Sequence, residues 1–323
     1  MPGKFVAPVT PAMRCSQVRA HDSLHEMDSQ EFQVTEARLA GLLHRQFPHW
    51  AGQTITRLSS SGTDNLNYRV GDALVARLPR QPASVLALVK EQTWMPRLER
   101  DLPVIIPHLM ACGEPSPEFP APWSVNAWID GEPFSEEAVV DWKTFVQGLA
   151  AFVQALQRVD TSGAPPPGPH NFGRGAPLAG RNQRVHTALN AIADSIDIDA
   201  ARAAWEEDSI APEWDGPLRW LHGDLHAQNI LLSEGRLRAV IDFGCLGIGD
   251  PACELSAAWR LLPEHARQHF RTELSPDAAT WRRARAWALS ISMMEVQHYR
   301  SSNPVLASIA MKTIERVLAD RGG

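Results

Sequence analysis

The sequence predicts an α+β protein of two lobes, a small β-rich N-lobe and a larger helical C-lobe with a cleft between them. Three observations carry that prediction. Short strand-like runs separated by Gly, Asp and Asn punctuation crowd the part before Asp130-Gly131. Helical periodicity dominates after it. A length of 323 residues exceeds one ordinary domain.

Residues 1–30 show neither period and carry Pro2, Pro8 and Pro11, which reads as a disordered leader, with Met27 as an alternative start. The N-lobe is placed at 31–127 and the C-lobe at 128–323. Glu31–Gln46 reads as a helix whose apolar face is Phe32, Leu39, Leu42 and Leu43. Strands follow at Thr54–Leu58, Leu66–Val70 and Ala73–Leu78, joined by the run 59–65 and by Gly71-Asp72. Pro82 opens a helix reaching at least Met95, where Pro96 should kink or end it. More strands lie near His108–Ala111 and Trp123–Ile129.

Past Gly131, Ser135–Arg158 reads as a long amphipathic helix, capped by Ser135 and with Glu136 and Glu137 in its first turn. A Pro- and Gly-rich loop covers 161–180, and helices lie near 183–194 and 198–208. Short strands bracket turns at 221–229 and 242–250. The tail is helical near 251–262, 264–273, 277–299 and 304–319.

Composition excludes whole classes. Hydrophobic residues at 44% and charged residues at 21% rule out global disorder, and a net charge of −6 argues against electrostatic binding to nucleic acid. No run approaches the roughly 18 apolar residues of a membrane helix, and no signal-peptide pattern opens the chain. Cys15, Cys112, Cys245 and Cys253 lack CxxC spacing and read as free thiols of a reducing, cytoplasmic compartment. Monomer and homodimer both remain open.

The chemistry-bearing stretch is Leu221-His222-Gly223-Asp224-Leu225-His226-Ala227-Gln228-Asn229, followed by Asp242-Phe243-Gly244. Asp224 and Asn229 stand at the D-x-x-x-x-N interval of a kinase catalytic loop, and Asp242 opens a metal-binding D-F-G turn. Phosphoryl transfer needs a carboxylate to orient the acceptor hydroxyl and oxygen ligands for Mg²⁺ on the triphosphate. Asp224 fits the first role; Asn229 and Asp242 fit the second. The apolar runs Ile230–Leu232 and Leu237–Ile241 would hold both carboxylates rigidly.

On these residues the chain resembles the aminoglycoside/macrolide phosphotransferase family, the small-molecule branch of the protein-kinase-like fold, across about residues 35–320. Gly223, where protein kinases have Arg, belongs to that branch. So does the passage from Asp242-Phe243-Gly244 almost directly to Gly249-Asp250-Pro251, with no activation loop. The resemblance implies a nucleotide in the inter-lobe cleft, ATP or GTP as co-substrate, Mg²⁺ as cofactor, and a small-molecule hydroxyl as acceptor. Ser61, Gly62 and Thr63 would cover the nucleotide phosphates. Arg77 stands where most kinases have the phosphate-binding Lys, with Glu91 at its ion-pair partner. The Ala127 carbonyl and Ile129 amide would meet the adenine edge. His222 would brace the catalytic loop, and Asp250 would support the loops or line the acceptor site.

Competing patterns are weaker. His222 and His226 lie four apart, but Gly223 stands where a zincin needs Glu. Gly244, Gly247 and Gly249 are out of order for dinucleotide binding. The acceptor is the open question. Residues 1–127 balance 12 acids against 12 bases, so the whole excess of acid follows them. Eight of those acids fall in 194–215, among them Glu206, Glu207 and Asp208, against Arg202 alone. That suits a cationic acceptor such as an aminoglycoside, with a solvated helix face as the alternative. Trp205, Trp214, Trp281 and Trp287 would line a roomier pocket for a macrolide, or belong to the core. A metabolic kinase for choline, an amino alcohol or a sugar derivative is the rival reading, and a nucleotide-binding pseudokinase a further one.

Overall fold

Asp141, not Ser135, begins the long helix of the second half. Its side chain accepts the Lys143 amide at 2.9 Å and opens α3 (Trp142–Arg158). Ser135 caps only an isolated turn, accepting from the Ala138 amide at 3.2 Å. The expected start at Ser135 fails because the Val140 amide bonds the Gly235 carbonyl at 3.3 Å, taking that residue out of helical hydrogen bonding.

The computed structural model describes residues 31–58 and 64–320. The leader at 1–30, and Ser61, Gly62 and Thr63, lie outside them. Contacts divide the chain into a first unit, running to Pro96 and resuming over Pro107–Trp128, and a second unit of Arg97–Ile106 and Ile129 onward. Residues 97–106, left in the N-lobe by pattern alone, belong with the second unit because Ile105 bridges Ala239.

The first unit is an antiparallel sheet. Its strands are β1 (Ile55–Arg57), β2 (Asn65–Val70), β3 (Leu74–Pro79), β4 (Leu109–Gly113) and β5 (Trp123–Ala127), in the order β1-β2-β3-β5-β4. Thr35 caps α1 (Glu36–Gln46), five residues later than pattern alone suggests. The Phe32 amide instead bonds the Arg80 carbonyl at 2.7 Å. Leu39, Leu42 and Leu43 of α1 are buried with Tyr68, Ala76, Leu78, Trp123 and Val125. Gly113 is required there: a Cβ would sit 1.9 Å from the Trp123 ring. The second helix, α2 (Pro82–Leu98), carries Pro96 in its last turn rather than ending at it; the missing Pro96 amide costs one helical bond, to the Gln92 carbonyl, two residues before the helix stops.

The second unit has three short pairings. β6 (Glu132–Pro133) joins β8 (Ile230–Ser233), β8 joins β9 (Arg236–Val240), and β7 (Arg219–Leu221) joins β10 (Gly247–Gly249). Around them lie α4 (Asn182–Ala191), α5 (Ile198–Ser209), α6 (Ala252–Leu255), α7 (Ala257–Arg260), α8 (Glu264–Leu274), α9 (Ala278–Tyr299) and α10 (Pro304–Ala319). α9 is the buried centre, packing on α10, α4, α5 and α6. Trp205, Trp281 and Trp287 are core residues, at most 8% exposed. Among the described residues no helix is long and apolar enough to cross a membrane. Cys245 and Cys253 are buried free thiols. Cys112 is in a disulfide, which corrects the expectation of four free thiols; spacing along the chain does not report pairing at a distance.

Candidate active site

Strand pairing brings the two chemistry-bearing loops together. Leu221, ending β7, faces Gly247, opening β10, while Ile230, opening β8, faces Val240, ending β9. The loops 222–229 and 241–246 therefore lie at the same strand ends. Two bonds tie them: the Ile241 amide to the Asn229 carbonyl at 2.9 Å, and His222 Nε2 to the Ile241 carbonyl at 3.0 Å.

His222 is fully buried, and burial pushes its imidazole down to about 4, so it is neutral near pH 7. Nε2–H then donates to Ile241 while Nδ1 accepts the Asp224 amide at 3.2 Å. Both ring nitrogens are engaged, which leaves none for zinc. Gly223 sits at φ 78°, and a Cβ there would meet the Cys245 carbonyl oxygen at 2.8 Å. The turn at 223 thus needs glycine on two counts. Its carbonyl accepts from Arg174 Nε at 3.0 Å and its amide donates to Glu254 at 3.0 Å.

Asp224 emerges from this brace with its side chain 25% exposed. Asn229 Nδ2 donates to the Asp224 main-chain oxygen at 2.9 Å and approaches Oδ2 at 3.5 Å. Arg260 Nη1 bonds Oδ1 at 2.9 Å, His226 Nε2 lies 3.4 Å from Oδ2, and Arg174 lies 3.9 Å from Oδ1. Burial alone would raise the carboxyl, but His226, Arg260 and Arg174 more than offset it and hold it well below the usual carboxylate range. Asp242 occupies left-handed backbone at φ 62° and its Oδ1 accepts the Gly244 amide at 3.4 Å. A non-glycine residue held there marks a locally constrained turn of the kind found at functional sites.

With its Nδ2 on the Asp224 main-chain oxygen, Asn229 keeps Oδ1 as an acceptor, and its own carbonyl ties it to Ile241, next to Asp242 on the neighbouring loop. Among the described residues no group of three or more His, Cys, Asp and Glu side chains lies placed for a metal. One amide oxygen and one carboxylate suit Mg²⁺, which takes few protein ligands and completes its shell with water and phosphate oxygens.

In the first unit Arg77 and Glu91 are ion-paired through Arg77 Nη1 and Glu91 Oε2, with a second contact from Nη2 to Oε1 at 3.4 Å, both residues buried. Ala127 ends β5 with its amide on the His108 carbonyl at 2.9 Å; Ile129 follows two residues later, half-buried.

Other expected residues lie elsewhere. Asp250 is 7% exposed and holds Arg283 through both carboxylate oxygens, at 2.7 and 3.3 Å, bracing the loop to α9. Both residues line a cavity of about 100 Å³ together with Leu178, Glu213, Trp214 and Leu218. Asp208 is 1% exposed and bonded to Arg285 and Arg282 of α9. That removes it from the open acidic face expected of 206–208, on which Glu206 and Glu207 are exposed. Sequence reading missed Arg174, Glu254, Arg260 and Glu295, and saw His226 only as half of a zinc spacing. No local interval announces them: Arg174 precedes Asp224 by 50 positions and Glu295 follows it by 71.

A five-stranded antiparallel sheet ahead of a helical unit, with D-x-x-x-x-N and D-F-G loops held side by side, defines the protein-kinase-like class. The chain belongs to the phosphotransferase enzyme family (APH), whose model matches residues 54–287. Aminoglycoside 3'-phosphotransferases of Escherichia coli and Salmonella typhimurium are 28% and 27% identical over 135 residues, 40% of this chain. The chain spans about half the length of these relatives, 47%. Two solved structures share the fold. The GDP and kanamycin complex of APH(2")-IIIa has a TM-score of 0.66 at 18% identity, covering 88% of this chain and 99% of that one. Macrolide 2'-phosphotransferase MphH from Brachybacterium faecium has a TM-score of 0.56 at 19% identity, covering 86% and 97%.

Proposed function

We propose that the protein transfers the γ-phosphoryl group of ATP or GTP to a hydroxyl of a small molecule. The single observation that carries this reading is the Asp224 carboxylate, ionised and held by Asn229 on a loop that is tied to the one carrying Asp242.

A carboxylate of such low basicity does not strip an alcohol early. Asp224 orients the hydroxyl and takes its proton as the new O–P bond forms, while the bond to the leaving diphosphate breaks and that diphosphate keeps the electron pair. Asn229 and Asp242 would hold Mg²⁺, which when bound neutralises charge on the phosphates. Arg77, set by Glu91, carries the positive charge that most kinases supply with Lys, with a planar fork in place of a point charge. Ser61, Gly62 and Thr63 would cover the phosphates, and the Ala127 carbonyl and Ile129 amide would read the base.

The acceptor we propose is an amine-bearing, aminoglycoside-type antibiotic or a macrolide, the classes for which the relatives are named. Glu206 and Glu207 are exposed acids that would attract a cation, Glu207 also lying 4.0 Å from Arg285. Its dependence on ATP or GTP, rather than its cysteine usage, is the ground for placing its action in the cytoplasm, as a monomer or homodimer.

The test is Mg²⁺-dependent ADP release across aminoglycosides, macrolides, choline and sugars. Asp224→Asn should lose roughly 10²–10⁴-fold in kcat with nucleotide binding retained, while Asp242→Ala should lose Mg²⁺–nucleotide affinity itself. Turnover in Asp224→Asn within about threefold of wild type contradicts the reading.

A further inference from the structure

Arg260 joins two carboxylates from different elements. Nη1 donates to Asp224 Oδ1 at 2.9 Å, and Nη2 donates to Glu295 Oε1 at 2.5 Å. The Arg260 side chain is 2% exposed, against 25% for Asp224 and 20% for Glu295. The guanidinium therefore lies beneath two carboxylates that open to solvent. It ends α7, Glu295 sits on α9, and Asp224 sits on the loop between β7 and β8.

The bridge treats the two oxygens of Asp224 unequally. Oδ1 receives a short charge-assisted bond, whereas Oδ2 has only the longer approaches from His226 at 3.4 Å and Asn229 at 3.5 Å. Oδ2 keeps the acceptor capacity that a hydroxyl needs. The guanidinium is planar, so fixing one edge with Glu295 fixes where the other edge holds Oδ1. Glu295 and Asp224 together outweigh the cost of burying the cation and raise the Arg260 pKa above its ordinary value.

We propose that Arg260 is a positioning residue for phosphoryl transfer: clamped by Glu295, it fixes Asp224 Oδ1 and presents Oδ2 to the acceptor hydroxyl. This rests on the phosphotransferase reading. Arg260 is too deeply covered to meet substrate and acts through Asp224.

The experiment measures kcat, nucleotide KM and Tm for wild type, Arg260→Met, Glu295→Gln and the double variant, with the best acceptor from the screen. Arg260→Met leaves Glu295 and Asp224 without their shared cation and lowers Tm; Glu295→Gln leaves Arg260 paired with Asp224 and lowers it less. The double change removes one of the two stranded carboxylates and recovers part of the loss. Positioning predicts that kcat stays down in the double variant, by about 10–100-fold, with nucleotide KM within about threefold of wild type. A double variant that recovers both Tm and kcat overturns the proposal, because the pair is then only structural. So does Arg260→Met at wild-type kcat. If Arg260→Met does not fold, Glu295→Gln decides: a kcat loss at retained nucleotide KM supports the proposal, and unchanged kcat overturns it. A wild-type protein inactive on every acceptor overturns this proposal and the phosphotransferase reading together, whereas active wild type with unaffected variants overturns this one alone.

Discussion

Glu254 Oε2 accepts the amide of Gly223 at 3.0 Å from a position only 1% exposed. The turn before Asp224 is thus held from beneath by a buried acid on α6. Burial pushes that carboxyl up to about 8, against the opposing effect of the Gly223 and His222 amides.

The first prediction follows from the sign of that shift. Between about 4.5, the unfolded value, and about 8, the folded state holds a proton that the unfolded state has lost. The associated stability is full below pH 4.5 and disappears as pH rises through about 8. Glu254→Gln keeps an acceptor for Gly223 and has no charge to acquire. Subtracting its Tm–pH curve from that of wild type should give a difference that falls with pH across this window. A flat difference contradicts the assignment.

Gly223→Ala is predicted to destabilise the protein by about 1–3 kcal/mol, since it combines a left-handed backbone with a Cβ against the Cys245 carbonyl. Denaturant unfolding measures this. Because residue 224 follows directly, kcat should fall as well, even under conditions where the variant is fully folded.

Arg77→Ala should raise the nucleotide KM, and Glu91→Ala should cost less once Arg77 is gone. The two side chains share a buried ion pair, so the double-mutant cycle should show coupling of about 0.5–3 kcal/mol. Strict additivity would show that the pair does not act as a unit on the nucleotide.

Asp208→Asn should cost about 3–5 kcal/mol, because it leaves Arg285 without its buried partner. Glu206→Gln with Glu207→Gln should stay within about 0.5 kcal/mol per site, as exposed positions do. For an amine-bearing acceptor that second pair should raise acceptor KM, and the effect should fade between about 0.05 and about 0.5 M salt. Equal stability loss in both sets would contradict the burial contrast.

Most elements were legible because their signals are local. Alternating runs mark β2, β3 and β5, and 3.6-residue spacing marks α5, α8, α9 and α10, each within a few residues of its observed bounds. The start of α3 was not, because a distant Gly235 carbonyl takes the Val140 amide and lets Asp141 win over Ser135 as the cap. The acidic run at 194–215 misled for a similar reason. Charge read along the chain treats Asp208 like Glu206, but helix geometry turns Asp208 inward onto α9.

The sequence by itself determined the two loops to which the chemistry is assigned under the proposed function. The Asp224–Asn229 interval, the glycine at 223 and the Asp242-Phe243-Gly244 turn are constraints over a few consecutive residues, where backbone geometry leaves little choice. Only the tertiary structure decided the company those loops keep: Arg174, Arg260 with Glu295, and Glu254 beneath Gly223. These partners come from elements tens of residues away, and which charge is buried against which depends on how helices pack. Packing leaves no periodic trace in the chain, yet it sets the ionisation and aim of Asp224.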